Sequence, residues 1–236
     1  MEKLTNITFT GLDARTDMSA LEQIQKEYPI AEFGVLMSKH YDHNGNRYPD
    51  PKLVEHFVGH NLSLSAHLCG GLAKMAYMGC LEPVTGIYPA FEHPDFKRTQ
   101  LNVSPYDQIY MTAARMKSKT DKEIIIQQKS PTLMYSQSFR EFMKMNPELN
   151  VTMLVDPSGG RGIDEGLDLI ATDEKIGYAG GINENNVEEK LRTLMEMDTI
   201  KKFWIDMESG VRTDDWFDLG KVVRILEKCQ NIVKEY

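Results

Sequence analysis

The chain has 236 residues and a mass of 27.0 kDa, and 27 Lys and Arg residues against 35 Asp and Glu residues give a formal charge of −8. This acidic balance argues against a dedicated nucleic-acid binder, which usually carries a basic surface. Hydrophobic residues make up 41% of the chain and charged residues 26%, which is typical of a soluble globular protein and not of a disordered or fibrous one.

The sequence also lacks the signals of membrane insertion and secretion. No apolar run approaches the ~20 residues that a membrane span needs, and the first residues lack the apolar segment of a signal peptide. We therefore expect a cytoplasmic protein without membrane or nucleic-acid partners.

The three cysteines, Cys69, Cys80 and Cys229, include no C-x-x-C pair, which predicts free thiols and neither a disulfide framework nor a metal site. No cofactor motif is present, so no cofactor is expected.

Short runs typical of strands alternate with helical stretches along the whole chain. The predicted strands are 6–12, 32–38, 61–70, 100–104, 123–129, 150–156, 175–181 and 203–209. The predicted helices are 18–27, 50–59, 71–79, 106–117, 135–145, 162–171, 184–197 and 218–234. Eight of each in about 240 residues predicts one α/β domain over residues 1–236, a single (β/α)8 TIM barrel. A doubly wound sheet is the main alternative, but no G-x-G-x-x-G follows the first strand. Residues 83–100 hold three prolines and are predicted to form an extended loop.

The third predicted strand has one apolar and one polar face. Leu62, Leu64, Ala66 and Leu68 alternate with Ser63, Ser65, His67 and Cys69. The apolar face should pack against helices, and the polar row should then face the barrel lumen. This places His67 and Cys69 near the C-terminal mouth, where such barrels keep their active sites, although a hydrogen-bonded core histidine is an equal alternative.

The sixth predicted strand ends at Asp156 in the segment LVDPSGGRG. A carboxylate at the C-terminal end of a barrel strand is a candidate general acid or base. The alternative is an Asx turn or a helix N-cap before Pro157 and Ser158.

Small residues at the ends of the last three strands indicate an anion-binding cradle. Glycine lets backbone N–H groups approach an anion, and the loops after strands 7 and 8 form the usual phosphate site of such barrels, together with the N-terminus of a short extra helix. Residues 211–216 could supply that helix. The candidate phosphate-binding residues are Gly159, Gly160, Gly180, Gly181, Ser209 and Gly210.

Four segments together resemble the motifs of phosphoribosylanthranilate isomerase, a (β/α)8 enzyme. They are LVDPSGGRG at strand 6, YAGGINENNV after strand 7, WIDMESGV at strand 8 and FGVLMSKHYDHNGNRYPDP at strand 2. The resemblance implies an Amadori rearrangement of a phosphorylated ribosylamine, which makes the protein an intramolecular oxidoreductase of the aldose–ketose isomerase type. It implies that Asp156 is the general acid and that Arg47 binds a substrate carboxylate through its fork of donors.

The chain departs from this family at the position of the general base. The family has a cysteine at the end of strand 1, whereas this chain has Thr10, and a hydroxyl is a poor base unless another group activates it. Asp13, His67 and Cys69 are possible substitutes, with His67 favoured because a pKa of about 6.5 suits proton transfer near neutrality.

Further candidates and departures lie on the other strand ends. Asp206 aligns with the family's strand 8 aspartate, and Lys129 ends strand 5, so both are candidate substrate-binding residues. Glu208 replaces a serine and would repel a phosphate dianion, which leaves the bound group open. The expected partner is a phosphorylated small molecule, and the chain should be a monomer or homodimer. A barrel that binds such a ligand without turnover is the alternative function, and an interaction scaffold is a weaker one.

Overall fold

The computed structural model describes residues 3–42, 45–77, 80–102, 122–129 and 150–236. Eight parallel strands close into a barrel in chain order. The strands are β1 (Leu4–Thr10), β2 (Ala31–Met37), β3 (Leu64–Cys69), β4 (Phe96–Asn102), β5 (Glu123–Gln128), β6 (Val151–Val155), β7 (Thr172–Tyr178) and β8 (Ile200–Met207). The predicted (β/α)8 barrel is therefore confirmed, and each predicted strand overlaps an observed one.

Helices lie between the strands where the predicted pattern is strongest. In the described ranges the α-helices are Met18–Glu27, Pro51–Phe57, Gly70–Tyr77, Glu82–Ile87, Val187–Glu196 and Leu219–Val233. Side chains cap three of them, because Asp17, Asp50 and Asp218 each accept a hydrogen bond from the first turn that follows. The predicted helices 106–117 and 135–145 lie outside the described residues. No helix within the described ranges is long and apolar enough to cross a bilayer.

Two predicted segments differ from the structure. Residues 162–171 contain no helix, because Gly162 and Gly166 adopt left-handed backbone conformations with φ of 66° and 85°, which interrupt a right-handed helix. Residues 83–100 are more regular than the predicted loop. They hold most of the helix Glu82–Ile87, the 3-10 helix Pro89–Glu92 and most of β4. Pro83 and Pro89 stand in the first turns of these helices, where a missing N–H costs nothing.

The apolar core is divided into two parts by the barrel wall. The larger part lies between strands and helices and includes Leu62, Leu64, Ala66 and Leu68, which confirms the predicted orientation of β3. The smaller part lies in the lumen and consists of Ile125, Leu154, Ala179 and Trp204. Gly177 makes room for the Trp204 ring, since a Cβ on this glycine would overlap the indole. The lumen is thus a packed core and not an open channel.

Beneath this apolar cluster lies a group of four charged side chains that we call the lower ion layer. It consists of Glu32, Arg98, Glu123 and Lys175, from four different strands near their N-terminal halves. Arg98 Nη1 lies 3.1 Å from Glu32 Oε1, and Lys175 Nζ lies 2.9 Å from Glu123 Oε2. Burial alone would raise the pKa of Glu123, but Arg98 and Lys175 outweigh it and lower that pKa. The two bases beside Glu123 therefore favour its ionised form.

Candidate active site

A cavity of about 800 Å³ opens at the C-terminal mouth of the barrel. Ten of the residues singled out from the sequence line it: Thr10, Arg47, His67, Asp156, Gly160, Gly180, Gly181, Asp206, Glu208 and Ser209. Five others are not part of its wall: Asp13, Cys69, Lys129, Gly159 and Gly210. The structure thus brings together side chains from strands far apart in the sequence, at the end of the barrel where active sites of this fold lie.

Asp156 follows β6 directly and is held on the cavity wall by three donors. Gln127 Nε2 and the Gly160 backbone N–H donate to its Oδ2 at 2.5 Å each, and Ser158 Oγ donates to its Oδ1 at 2.7 Å. No helix begins here, so the alternative of a helix N-cap is wrong, whereas the Gly160 contact does close a local turn. The carboxylate therefore has both a local hydrogen-bonding role and a fixed position toward the cavity.

Asp206 near the end of β8 is paired with Thr10 at the end of β1. The Thr10 hydroxyl donates to Asp206 Oδ1 at 2.8 Å, and both side chains are almost fully buried. Burial raises the pKa of Asp206 to about 6, although the hydrogen bond from Thr10 opposes this rise. Gly34 on β2 leaves the space for Thr10, since a Cβ there would overlap the threonine hydroxyl. The mouth thus holds a carboxyl group that titrates near neutrality.

His67 lines the cavity but does not have the properties for which it was favoured. Burial lowers its pKa to about 3, with Arg98 adding to the effect and Glu32 opposing it. Its Nε2 has no hydrogen-bond partner among the described residues. The imidazole is therefore neutral near pH 7, and its pKa lies well below the reference value of about 6.5 for which His67 was favoured.

The other two substitutes for the missing base are also engaged elsewhere. Burial raises the pKa of the Cys69 thiol to about 11, which keeps it protonated, and Asn102 Nδ2 donates to its sulfur at 3.3 Å. The Asp13 carboxylate accepts hydrogen bonds from the backbone N–H groups of Arg15 and Phe217 at 2.9 and 2.6 Å. Asp13 therefore ties the loop after β1 to the loop after β8.

Two basic residues predicted to touch substrate have different surroundings. Arg47 Nη2 lies 3.0 Å from Glu208 Oε1, with the arginine side chain 48% exposed. Burial raises the pKa of Glu208, while Arg47 and Arg212 oppose the rise. Lys129 is exposed, and its side chain lies so close to Gly159 that a Cβ on this glycine would overlap the lysine. Arg47 is thus at the cavity but already paired with a carboxylate.

The loops after β6, β7 and β8 pack against one another through small residues. A Cβ on Gly162 would overlap Ser209 Oγ, one on Gly181 would overlap the Asp164 backbone, and one on Gly210 would overlap the Ile182 carbonyl oxygen. Close packing of this kind holds the three loops together at one side of the cavity. That these loops bind phosphate stays a prediction.

The prediction of a short helix at residues 211–216 is wrong in both position and type. A 3-10 helix covers Ser209–Val211, and residues Arg212–Thr213 pair antiparallel with Trp216–Phe217. Asp214 and Asp215 form the turn of this hairpin with φ of 50° and 63°, which Asp tolerates better than most residues.

The polar cavity residues that sequence reasoning did not single out include Gln100, Gln127 and Arg212. Strand parity could have found two of them, because Gln127 shares a face with Lys129 and Gln100 shares a face with Asn102. Arg212 reaches back across the mouth to donate to the carbonyl oxygens of Gly11 and Asn46. No sequence pattern signals that long-range contact.

In the described part of the chain no group of three or more His, Cys, Asp or Glu side chains is arranged to hold a metal ion. The fold and cavity define a (β/α)8 barrel with two buried carboxyl groups at its C-terminal mouth. No protein-family model matches the chain.

A stretch of 96 residues is 32% identical to N-(5'-phosphoribosyl)anthranilate isomerase of Thermoanaerobacter sp. (strain X514). The match covers 39% of this chain and 44% of the relative, so it spans less than half of that protein. Among solved structures, the Pyrococcus furiosus N-(5'-phosphoribosyl)anthranilate isomerase superposes with a TM-score of 0.58 at 17% identity, over 96% of this chain and 99% of the other.

A second solved structure shows how widely this fold is shared. Thermotoga maritima phospho-2-dehydro-3-deoxyheptonate aldolase superposes with a TM-score of 0.56 at 11% identity, over 98% of this chain and 70% of the other. At these identities the structural matches show the fold alone. The predicted resemblance is confirmed: the chain is a divergent (β/α)8 barrel that resembles phosphoribosylanthranilate isomerases in sequence and in fold.

Proposed function

We propose that the chain is an isomerase that rearranges a phosphorylated ribosylamine, or a related pentose-derived molecule, by acid–base chemistry. The observation that carries the proposal is the placement of Asp156 and Asp206 on the wall of one cavity. An Amadori rearrangement needs one group to donate a proton and another to accept one, both held against the same sugar. The partial sequence match to a phosphoribosylanthranilate isomerase supports this reaction class.

The proposed reaction conserves all atoms and electrons within the substrate. An acid protonates the ring oxygen as its bond to C1′ breaks, which leaves an iminium ion between C1′ and nitrogen. A base then removes the C2′ proton to give an enolamine. The base then transfers that proton to C1′, and the C2′ hydroxyl loses its proton to the conjugate base of the acid. These two transfers give the ketone and restore the acid and the base. Asp156 is the proposed acid, as the resemblance implies.

The loops after β6, β7 and β8 are the proposed site for the substrate phosphate. Gly160, Gly181 and Ser209 lie on the cavity wall, and their close packing keeps the backbone near a bound anion. Arg161 and Arg212 also line the cavity and supply positive charge. Arg47 is the proposed contact for a second anionic group, after it separates from Glu208.

Turnover of phosphoribosylanthranilate by the purified protein, followed by fluorescence, tests this proposal. We expect activity in the wild type and a loss of about 10²–10⁴-fold in Asp156→Asn, the usual contribution of a general acid or base. Asp214→Asn is the matched control, because it removes an exposed carboxylate that is not part of the cavity wall and should keep activity. A folded wild type without turnover, or an Asp156→Asn variant with full turnover, would contradict the proposal.

A further inference from the structure

The structure places a carboxylate directly beside the position of the missing base. Thr10 stands where the resembling family has its cysteine, and its hydroxyl hydrogen is directed to Asp206 Oδ1 at 2.8 Å. Because the Thr10 hydroxyl donates its hydrogen to this carboxylate, the basic group of the pair is the carboxylate of Asp206. Asp206 lies one hydrogen bond away and lines the same cavity.

We propose that Asp206 is the general base that removes the C2′ proton, with Thr10 as a positioning residue that orients its carboxylate. This inference rests on the proposed function and adds the group that the reaction still lacks. The Asp206 carboxylate accepts hydrogen bonds from Thr10, at Oδ1, and from Gln100, and the same carboxylate takes the C2′ proton. The protonated carboxyl then returns this proton to C1′, so that the base is restored in each turnover.

The alternatives to Asp206 are weaker on their own surroundings. Burial, with a smaller effect from Arg98, lowers the pKa of His67 to about 3, so this imidazole accepts protons poorly. Cys69 is a protonated thiol outside the cavity wall. Asp206 combines a place on the wall with a pKa of about 6, which leaves it mostly ionised at pH 7.5 and a stronger base than an exposed aspartate.

Several groups face Asp206 and set its protonation. Burial is the main cause of its raised pKa and Asp156, which follows β6, adds to the rise, whereas the hydrogen bonds from Thr10 and Gln100 and the charge of Arg98 from β4 oppose it. Glu208, two residues along the chain, is another nearby carboxylate, and the charge of Asp206 adds to the rise of its pKa that burial causes. Removal of the Thr10 hydroxyl should therefore raise the pKa of Asp206 further.

The first test compares turnover of phosphoribosylanthranilate by the wild type, Asp206→Asn and the control Asp214→Asn, which removes an exposed carboxylate outside the cavity wall. We expect Asp206→Asn to lose about 10²–10⁴-fold in kcat. It should keep its far-UV circular dichroism and its affinity for ribose 5-phosphate, used as a non-reacting probe. An active wild type with an Asp206→Asn variant within about threefold of it would overturn the base assignment and leave the proposed function standing. An inactive wild type would overturn the proposed function itself.

The second test follows the pH dependence of kcat/KM in the wild type, Thr10→Val and Thr10→Ser. The wild-type rate should fall toward acid pH with a midpoint near 6, where Asp206 becomes protonated. Valine keeps the shape of threonine but removes the donor, so the midpoint should move to higher pH. Serine keeps the donor and should leave the midpoint unchanged. A midpoint that is the same in all three proteins would overturn the role of the Thr10 and Asp206 pair.

Discussion

Charged side chains occur at both ends of the barrel lumen, but they are balanced in different ways. In the lower ion layer, Glu32 and Glu123 face Arg98 and Lys175, so two negative charges meet two positive ones. At the mouth, Asp156 and Asp206 form no ion pair within the described residues, and they interact mainly through hydrogen bonds with neutral groups. The apolar cluster around Trp204 lies between the two regions.

This difference separates what stabilises the barrel from what prepares it for chemistry. Neutralised charges in the lower layer stabilise each other, and removing one leaves its partners buried and unpaired. A buried, unpaired carboxyl group at the mouth costs stability but has a pKa suited to proton transfer. Three predictions follow from the comparison, in order of decreasing effect on the free energy of unfolding.

Arg98→Met should break the lower ion layer and give the largest loss of stability. It leaves Glu32, whose side chain is only 1% exposed, without its cation. Breaking a buried ion pair by removing one partner costs about 3–5 kcal/mol. Urea unfolding measures this loss, with Arg224→Met as the control, because Arg224 pairs with Glu184 on the surface and should have little effect. Equal losses in both variants would contradict the assignment of the lower layer as a stabilising group.

Asp206→Asn should stabilise the protein above neutral pH while it removes activity. An unfolded aspartate titrates near pH 3.9, whereas Asp206 in the fold titrates at about 6, so the native state binds the extra proton between these values. Stability of the wild type should therefore fall as pH rises from about 4 to 6 on account of this group.

The variant lacks that titration and should be about 1–3 kcal/mol more stable than the wild type at pH 8. The advantage should vanish below about pH 4, where the wild-type carboxyl is protonated in both states. Urea unfolding of the two proteins at pH 4, 6 and 8 gives the comparison. A variant that is less stable than the wild type at pH 8 would show that Asp206 is a structural residue.

Glu208→Gln should change stability least, because its ion pair with Arg47 is partly exposed and such pairs contribute about 0–1 kcal/mol. Its effect should appear in ligand binding. Removing this charge frees Arg47 from its ion pair and also removes a charge that repels an anion. Ribose 5-phosphate should therefore bind about fivefold more tightly, the equivalent of about 1 kcal/mol. Titration calorimetry at two salt concentrations checks this, and unchanged or weaker binding would place the anion elsewhere.

The fold was largely predictable from the sequence because the strand signals are local. The alternation of Leu64, Ala66 and Leu68 with Ser65 and His67 predicts which face of β3 meets the helices, and the structure agrees. The prediction of a helix over 162–171 was wrong for a local reason. The spacing of leucine and aspartate there is typical of a helix, but the two glycines adopt left-handed backbone conformations. Glycine tolerates a helix, so the sequence alone did not reveal which conformation would prevail.

The candidate site was less predictable because its properties arise between strands. Asp156 and Asp206 stand at visible strand ends, but the contact between Thr10 and Asp206 depends on closure of the barrel between β1 and β8. The low pKa of His67 and the raised one of Asp206 come from burial, which no single strand pattern reveals. Arg98 and its partners lie on four strands, so the lower ion layer was missed for the same reason.

The most direct test is turnover of phosphoribosylanthranilate by the wild type, Asp156→Asn and Asp206→Asn measured side by side at pH 7.5. We expect the wild type to be active and both variants to be at least about 100-fold slower while remaining folded. A folded wild type with no turnover, or activity retained in either variant, would contradict the assignment of these two carboxyl groups as the acid and base of an isomerase.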